Sequence, residues 1–247
     1  MFEHIEWQSL EDCQRLFHGR GHAYPGLSHV NVDWLSPVVH ITLYQEVEND
    51  WLSCQAQLIF EKIAECISVQ VQYRCREKSP TEVLIGDNVI ATQVTENHLK
   101  YHIELGKSQN TGLFLDMNNG RQWVVDHSQD KNVLNLFSYT CAFSIAALSG
   151  GANQVVNIDL SKASLAKGRE NHRLNNQDLN RVVFQGVDIF KSFSRIKKYG
   201  PYDLLICDPP SFQKGSVNIQ RDYGKILRRI PQFMKAGSEL LLCLNSP

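Results

Sequence analysis

From Lys131 to its end the chain alternates short apolar runs with helical stretches, and this rhythm constrains the fold more than any other feature. Residues 132–136 (NVLNL) read as a strand, and a helix follows over 142–148 until Gly150-Gly151 stops it. Strand 154–158 precedes a helix over 161–174, for which Ser161 is the N-cap. Strand 182–185, a short helix after Asp188 and strand 202–207 continue the alternation. A helix from about Ile219 to Lys235 and a last strand, 239–244, complete it. Strands that are apolar throughout and separated by helices belong to a parallel sheet covered on both faces.

The first hundred residues lack that rhythm. A strand over 38–44 (VVHITLY) and an amphipathic helix over 52–67 are followed by strand-like stretches 69–73, 89–95 and 99–105. Lys78-Ser79-Pro80 and Gly86-Asp87-Asn88 break them. The chain therefore reads as two domains: a small α+β domain over 1–108, suited to holding RNA or another substrate, and an α/β domain over 109–247. The 247 residues are 43% hydrophobic and 21% charged, in the soluble globular range. No apolar run is long enough to span a bilayer, and Met1-Phe2-Glu3-His4 starts no signal peptide. Seven scattered cysteines without a CxxC pair point to reduced thiols in a cytoplasmic protein. The formal net charge of −1 gives no general attraction to nucleic acid, so any such binding relies on local patches.

Open parallel sheets bind ligands beyond the carboxyl ends of their strands. There the chain places Phe137-Ser138-Tyr139-Thr140-Cys141, then Asp159-Leu160-Ser161, then Asp188-Ile189, then Asp208-Pro209-Pro210-Ser211-Phe212. Asp159 lies about 20 residues beyond the first loop, where an acid accepts the hydroxyls of an adenosine ribose. The Gly-x-Gly-x-x-Gly loop that seats a pyrophosphate is missing. A ligand with a ribose and no phosphate fits better, and S-adenosylmethionine is one. Asp159 and Asp188 also have a plainer reading as helix caps, and Asp208-Pro209-Pro210 as a turn.

Residues 109–247 resemble class I S-adenosylmethionine-dependent methyltransferases, most closely the bacterial large-subunit ribosomal RNA methyltransferases. The resemblance rests on Thr111-Gly112-Leu113-Phe114-Leu115-Asp116, Asn135 through Cys141, Asp159-Leu160-Ser161 and Asp208 through Phe212, in that order. It implies a Rossmann-like parallel sheet preceded by a small α+β domain. The chain stops at Asn245-Ser246-Pro247, short of the antiparallel C-terminal strands that normally end such a sheet. It also implies that Phe137, Ser138 and Tyr139 line the methionine side of the cofactor, with Cys141 in the same loop. Asp159, with Leu160 and Ser161 beside it, takes the ribose. Asp188 meets the adenine amino group and Ile189 packs on the ring, while Thr111 and Asp116 close the pocket. Asp208, Pro209 and Pro210 present acceptors to a base nitrogen that becomes positive as it attacks the methyl group, and proline supplies no N–H to compete. Phe212 stacks on a base taken out of its helix.

The family's glycine after "SYT" is Cys141 here, at a position where positive φ favours glycine. Family members that methylate C5 of cytosine carry a cysteine in a Ser-Cys-Ser-like stretch after the last strand. Here that stretch reads Leu242-Cys243-Leu244-Asn245-Ser246, which puts Asn245 at the nucleophile's position, and Ser211 follows the two prolines. The resemblance thus favours a guanine nitrogen in ribosomal RNA. Other planar substrates (DNA or a small molecule) and a cofactor- or RNA-binding module without turnover are the alternatives. No metal is expected, because His18, His22 and His29 near Cys13 lack zinc spacing. Three basic sets read as solvated helix faces: Arg169, His172 and Arg173; Arg195, Lys197 and Lys198; and Arg221, Lys225, Arg228 and Arg229. The last set is the expected RNA contact.

Overall fold

The computed structural model describes residues 1–7, 9–210, 212–213 and 217–244. The chain forms two compact units, Met1–Asp116 and Met117–Pro247, so the division falls at 116 where the sequence suggests 108.

In the first unit β1 (Gln14–His18), β2 (Val30–Leu35), β3 (Val38–Leu43), β4 (Ser68–Tyr73) and β5 (Thr81–Gly86) make one sheet in chain order. β3 and β4 run parallel, joined by α1 (Asn49–Lys62), and the other pairs are antiparallel. Leu52, Ala56, Ile59 and Ile63 follow at helical spacing, and they pack with Val30, Val32, Val39, Ile41, Val69 and Val71 in one core. The alternate residues of the same strands, Asn31, His40, Thr42, Ser68, Gln70 and Gln72, are polar yet buried. Main-chain carbonyls satisfy several of them, as in Gln70 Nε2 to Val89 O at 2.9 Å and Ser68 Oγ to Asp87 O at 2.7 Å. β6 (Ala91–Glu96) and β7 (Leu99–Glu104) form a hairpin whose two turn residues, Asn97 and His98, take φ of 50° and 66°. Positive φ at both positions matches the twist of the flanking strands.

The second unit begins with α2 (Asn118–Asp126) and continues β8 (Asn132–Leu136), α3 (Ala142–Ser149), β9 (Gln154–Asp159), α4 (Lys162–Leu174), β10 (Val182–Gly186), α5 (Phe193–Lys198) and β11 (Tyr202–Cys207). A short hairpin of β12 (Phe212–Gln213) and β13 (Val217–Asn218), then α6 (Ile219–Leu227) and β14 (Met234–Leu242), follow. The main sheet has the order β10-β9-β8-β11-β14 and is parallel throughout. Leu134, Leu136, Val156, Ile158, Leu205 and Cys207 pack on one face with Ile196 of α5 and Ile226 of α6. The other face turns Asn157 towards Ser144 of α3, which in turn meets His172 of α4. Helices therefore cover both faces.

One expected helix is shorter than its pattern. The sequence suggests a helix to Lys235, but α6 ends at Leu227 and a 3-10 turn, Ile230–Gln232, leads into β14. Pro231 sits in that turn; it has no N–H to bond Leu227 O, and its ring would clash with that carbonyl in a continued helix.

Candidate active site

The strand registers align the carboxyl ends of the second unit. Leu136 pairs with both Ile158 and Cys207, Gly186 pairs with Asp159, and Cys207 pairs with Leu242. The residue after each strand end therefore stands in one row: Phe137 between Asp159 and Asp208, with Val187 and Asp188 beyond Asp159 and Cys243 beyond Asp208. This row unites the candidates Phe137, Ser138, Tyr139, Cys141, Asp159, Leu160, Ser161, Asp188, Ile189, Asp208, Pro209 and Pro210.

Asp159 is the hub of the row. Its Oδ2 accepts the Tyr139 N–H at 2.8 Å and its Oδ1 the Ser161 N–H at 2.7 Å, so one carboxylate ties the β8 loop to the β9 loop. Burial raises the pKa of its carboxyl, and the two N–H groups oppose that rise. It does not cap α4: Ser161 does, accepting the Ser164 N–H at 3.1 Å. A carboxylate has about four acceptor sites. Two are filled here, and the rest can receive a pair of ribose hydroxyls.

The loop that Asp159 holds is strained. Phe137, Tyr139 and Cys141 take φ of 57°, 45° and 63°, each in a region that costs a residue with a Cβ about 1–2 kcal/mol. Strain of this kind persists where the surroundings over-determine the backbone, and it gathers at ligand sites. Ser138 Oγ is buried with no oxygen or nitrogen partner among the described residues, and only the weak Cys141 thiol faces it. A buried hydroxyl with only a weak partner fits a polar group brought by a ligand, such as the amino or carboxyl group of the methionine moiety of S-adenosylmethionine.

Cys141 is fully buried, and it fits because α4 carries Gly168 opposite. A Cβ on Gly168 would overlap Cys141 Sγ and stand 2.8 Å from its Cβ and 3.2 Å from Thr140 O. The thiol thus occupies the space a side chain at 168 would need. Burial pushes its pKa up, so it stays a neutral thiol, and what Cys141 offers a ligand is backbone.

Beneath the loop runs a buried polar chain that the sequence reading did not anticipate. Asn135 Nδ2 donates to Asn157 Oδ1 at 2.9 Å and Asn157 Nδ2 to Ser144 Oγ at 2.9 Å. Ser144 Oγ lies 3.0 Å from His172 Nε2, and His172 Nδ1 lies 2.6 Å from Gln177 Oε1. Asn171 Nδ2 donates to Thr140 O at 3.2 Å. His172 is fully buried, which corrects its reading as part of a solvated basic face. Burial lowers its pKa to about 4 and keeps the imidazole neutral. Two asparagines inside otherwise apolar strands were the available signal.

Further along the row, Asp188 caps a 3-10 turn, accepting the Phe190 N–H at 2.9 Å through Oδ1. Ile189 is 4% exposed and belongs to the core, whereas Leu160 beside Asp159 is 50% exposed. Phe137, Val187 and Phe190 at the same edge are half-buried. Asp208 and Pro210 are partly buried and Pro209 is buried. Tyr223 of α6 joins them: burial raises its hydroxyl pKa first, and the neighbouring Cys207, Cys243 and Asp208 add to the rise. Cys207 is fully buried, and its thiol pKa is likewise pushed up, chiefly by burial. Cys243 is 8% exposed and donates its N–H to Cys207 O at 2.9 Å.

Other candidates lie outside this row. Thr111 and Asp116 belong to the first unit, where Thr111 O accepts the Glu104 N–H at 2.9 Å and Asp116 is exposed. The Phe212 backbone pairs with Asn218 in the β12–β13 hairpin. Ser211 and Asn245 lie outside the described residues. In the basic set of α6, Arg221 and Lys225 both pair with Asp222, at 2.9 Å and 2.7 Å.

A parallel sheet in this strand order, with an acid ending β9 and no glycine-rich pyrophosphate loop, is the fold of class I methyltransferases. The chain matches the family model of S-adenosylmethionine-dependent methyltransferases over residues 14–247, and it belongs to that family. Ribosomal RNA large subunit methyltransferase I of Vibrio parahaemolyticus is 33% identical over 201 residues, covering 75% of this chain and 51% of that protein. Its counterpart in Aliivibrio fischeri is 30% identical over 228 residues, covering 83% and 57%. The chain thus spans about half the length of these curated relatives. Among solved structures SMU.776, described as a methyltransferase complexed with SAH, superposes with a TM-score of 0.82 at 26% identity. That match covers 94% of this chain and 60% of the other.

Proposed function

We propose that this chain transfers the methyl group of S-adenosylmethionine to a base nitrogen of ribosomal RNA, with guanine the favoured base. The observation that carries the cofactor half is Asp159, which fixes two loops with two of its acceptor sites and keeps the others for a ribose. Leu160 offers an apolar surface for the adenine ring, in place of Ile189, whose side chain is spent in the core. Ser138 Oγ takes a polar atom of the methionine moiety.

Bound S-adenosylmethionine supplies an electrophilic methyl group. The chain's own part is to hold the nucleophile and to stabilise the charge it gains. Asp208 stands next to the Phe137 loop by register and is only partly buried. Its carboxylate accepts the N–H of the attacking nitrogen as positive charge builds there, and Pro209 and Pro210 add no competing donor. Carbon methylation of cytosine would instead need a thiolate to add to the ring. Cys141 and Cys207 are buried and held as thiols, which supports nitrogen as the acceptor.

Support for the RNA half comes from the two relatives, both named for ribosomal RNA. The first unit is the candidate RNA-holding domain, and the seven cysteines, none in a disulfide, suit a reducing compartment such as the cytoplasm. The test combines calorimetry with S-adenosylmethionine and transfer of labelled methyl to ribosomal RNA. Asp208→Ala should bind the cofactor as the wild type does and transfer nothing. Transfer at the wild-type rate by this variant would remove Asp208 from the mechanism.

A further inference from the structure

One end of the first unit's sheet gathers cations around an aromatic ring. β1 ends at His18 and enters the tight turn Gly19–Gly21, while Tyr44 and Arg74 follow directly on β3 and β4. Tyr44 N donates to His29 O at 2.8 Å and Arg74 N to Leu43 O at 2.7 Å, so the pairing extends one residue past both strands. Gly19 is pressed against the 27–30 segment: a Cβ there would overlap Leu27 O and lie 2.5 Å from Val30 O. This close approach sets Arg20 above Tyr44, with its guanidinium carbon 4.3 Å from the ring centre. The Arg74 guanidinium carbon lies 5.8 Å from the same centre.

Two carboxylates of this sheet and the loop after it are already engaged. Glu46 receives Arg76 at 2.7 and 2.8 Å, and Asp33 receives Arg15 at 2.8 and 3.3 Å. Arg74 bonds only neutral acceptors among the described residues: Gln72 Oε1 at 3.1 Å, Gln109 O at 2.5 Å and Asn110 Oδ1 at 3.3 Å. Arg20 is exposed, and its recorded partner is the ring. Among the described residues neither guanidinium is in ion-pair contact with a carboxylate.

Guanidinium groups grip phosphate oxygens through paired N–H donors, and ring and guanidinium planes alike stack on unpaired bases. We infer that Arg20, Tyr44 and Arg74 of the first unit form a binding point for a phosphodiester and its adjoining base in single-stranded RNA. A chain with net charge −1 has no long-range field to hold RNA, so contacts of this local kind carry the binding. The inference rests on the RNA reading above and adds where the strand is held.

The test is binding of a labelled single-stranded ribosomal RNA fragment to the intact protein, by fluorescence anisotropy over a salt series. Each phosphate contact on a single strand contributes about 0.7 to the slope of log K against log salt. Arg20→Gln and Arg74→Gln should each lower that slope by about 0.7, while Arg20→Lys keeps it. Tyr44→Leu should weaken binding about fivefold or more at unchanged slope. Arg20→Gln carries the test, because the side chain is exposed and its loss leaves the fold intact. If the wild type binds and methylates RNA yet both Gln variants keep its slope, this inference fails and the RNA reading stands. If the wild type binds no RNA, both fail.

Discussion

Gly168→Ala tests how the strained 137–141 loop holds a cysteine at positive φ. Taken alone, alanine inside α4 should stabilise the helix by about 0.5–1 kcal/mol. Here the new methyl group would stand 2.8 Å from Cys141 Cβ and overlap its sulfur, and overpacking of that kind costs about 1–3 kcal/mol. The clash should win, leaving the variant about 1–2 kcal/mol less stable. Cys141→Gly should be close to neutral, because relief of about 1–2 kcal/mol at φ 63° offsets the lost packing of a small buried group. In the double variant only the 3.2 Å approach to Thr140 O remains, and the helix gain reasserts itself. A double-mutant cycle in urea should therefore return a coupling of about 1–3 kcal/mol between 141 and 168. Native-state hydrogen exchange at α3 and α4 keeps the opening of this unit distinct from that of the first. Additivity within about 0.5 kcal/mol would refute the packing argument.

Three further outcomes follow from the same geometry. Asp159→Ala should weaken S-adenosylmethionine binding by about 1.5–3 kcal/mol and also loosen the unliganded 137–141 loop in hydrogen exchange; calorimetry showing unchanged affinity would leave Asp159 a purely structural brace. His40 and His172 both have pKa values lowered to about 4 by burial, so between about pH 6.5 and 4 the unfolded chain binds more protons than the folded one. Their contribution is full above about pH 6.5 and is lost as pH falls towards 4, by up to about 3 kcal/mol each; His172→Gln should flatten the acid limb of a stability–pH curve, and an unchanged limb would contradict the assignment. RNA substituted with 5-fluorocytosine should form no stable adduct with the protein, and an adduct lost in Cys243→Ala would make Cys243 the nucleophile.

Much of the second unit was legible because its strands are apolar on both faces and its helices lie between them. Every strand end that carries a candidate residue falls where the apolar run stops, at Leu136, Asp159, Gly186 and Cys207. β1, β2 and β5 of the first unit were not legible. β1 and β5 are the two edge strands of that sheet, only partly buried, and their polar residues Gln14, Arg15, Thr81 and Glu82 leave no long apolar run to mark them. That Ile189 is buried while Leu160 is half exposed depends on which side chain the 3-10 turn folds inward, and adjacent sequence cannot decide that. Cys141 and Gly168 are 27 positions apart, and their fit exists only once α4 packs on the loop. The Asn135–Asn157 chain left a trace, two amides within apolar runs, but its partners Ser144 and His172 come from different helices.

The most direct test of the central claim is nucleoside analysis by mass spectrometry of ribosomal RNA incubated with the purified protein and labelled S-adenosylmethionine. The proposed function predicts label in a guanosine methylated on nitrogen, abolished by Asp208→Ala. Label in 5-methylcytidine, or bound cofactor with no transfer to RNA at all, would contradict it.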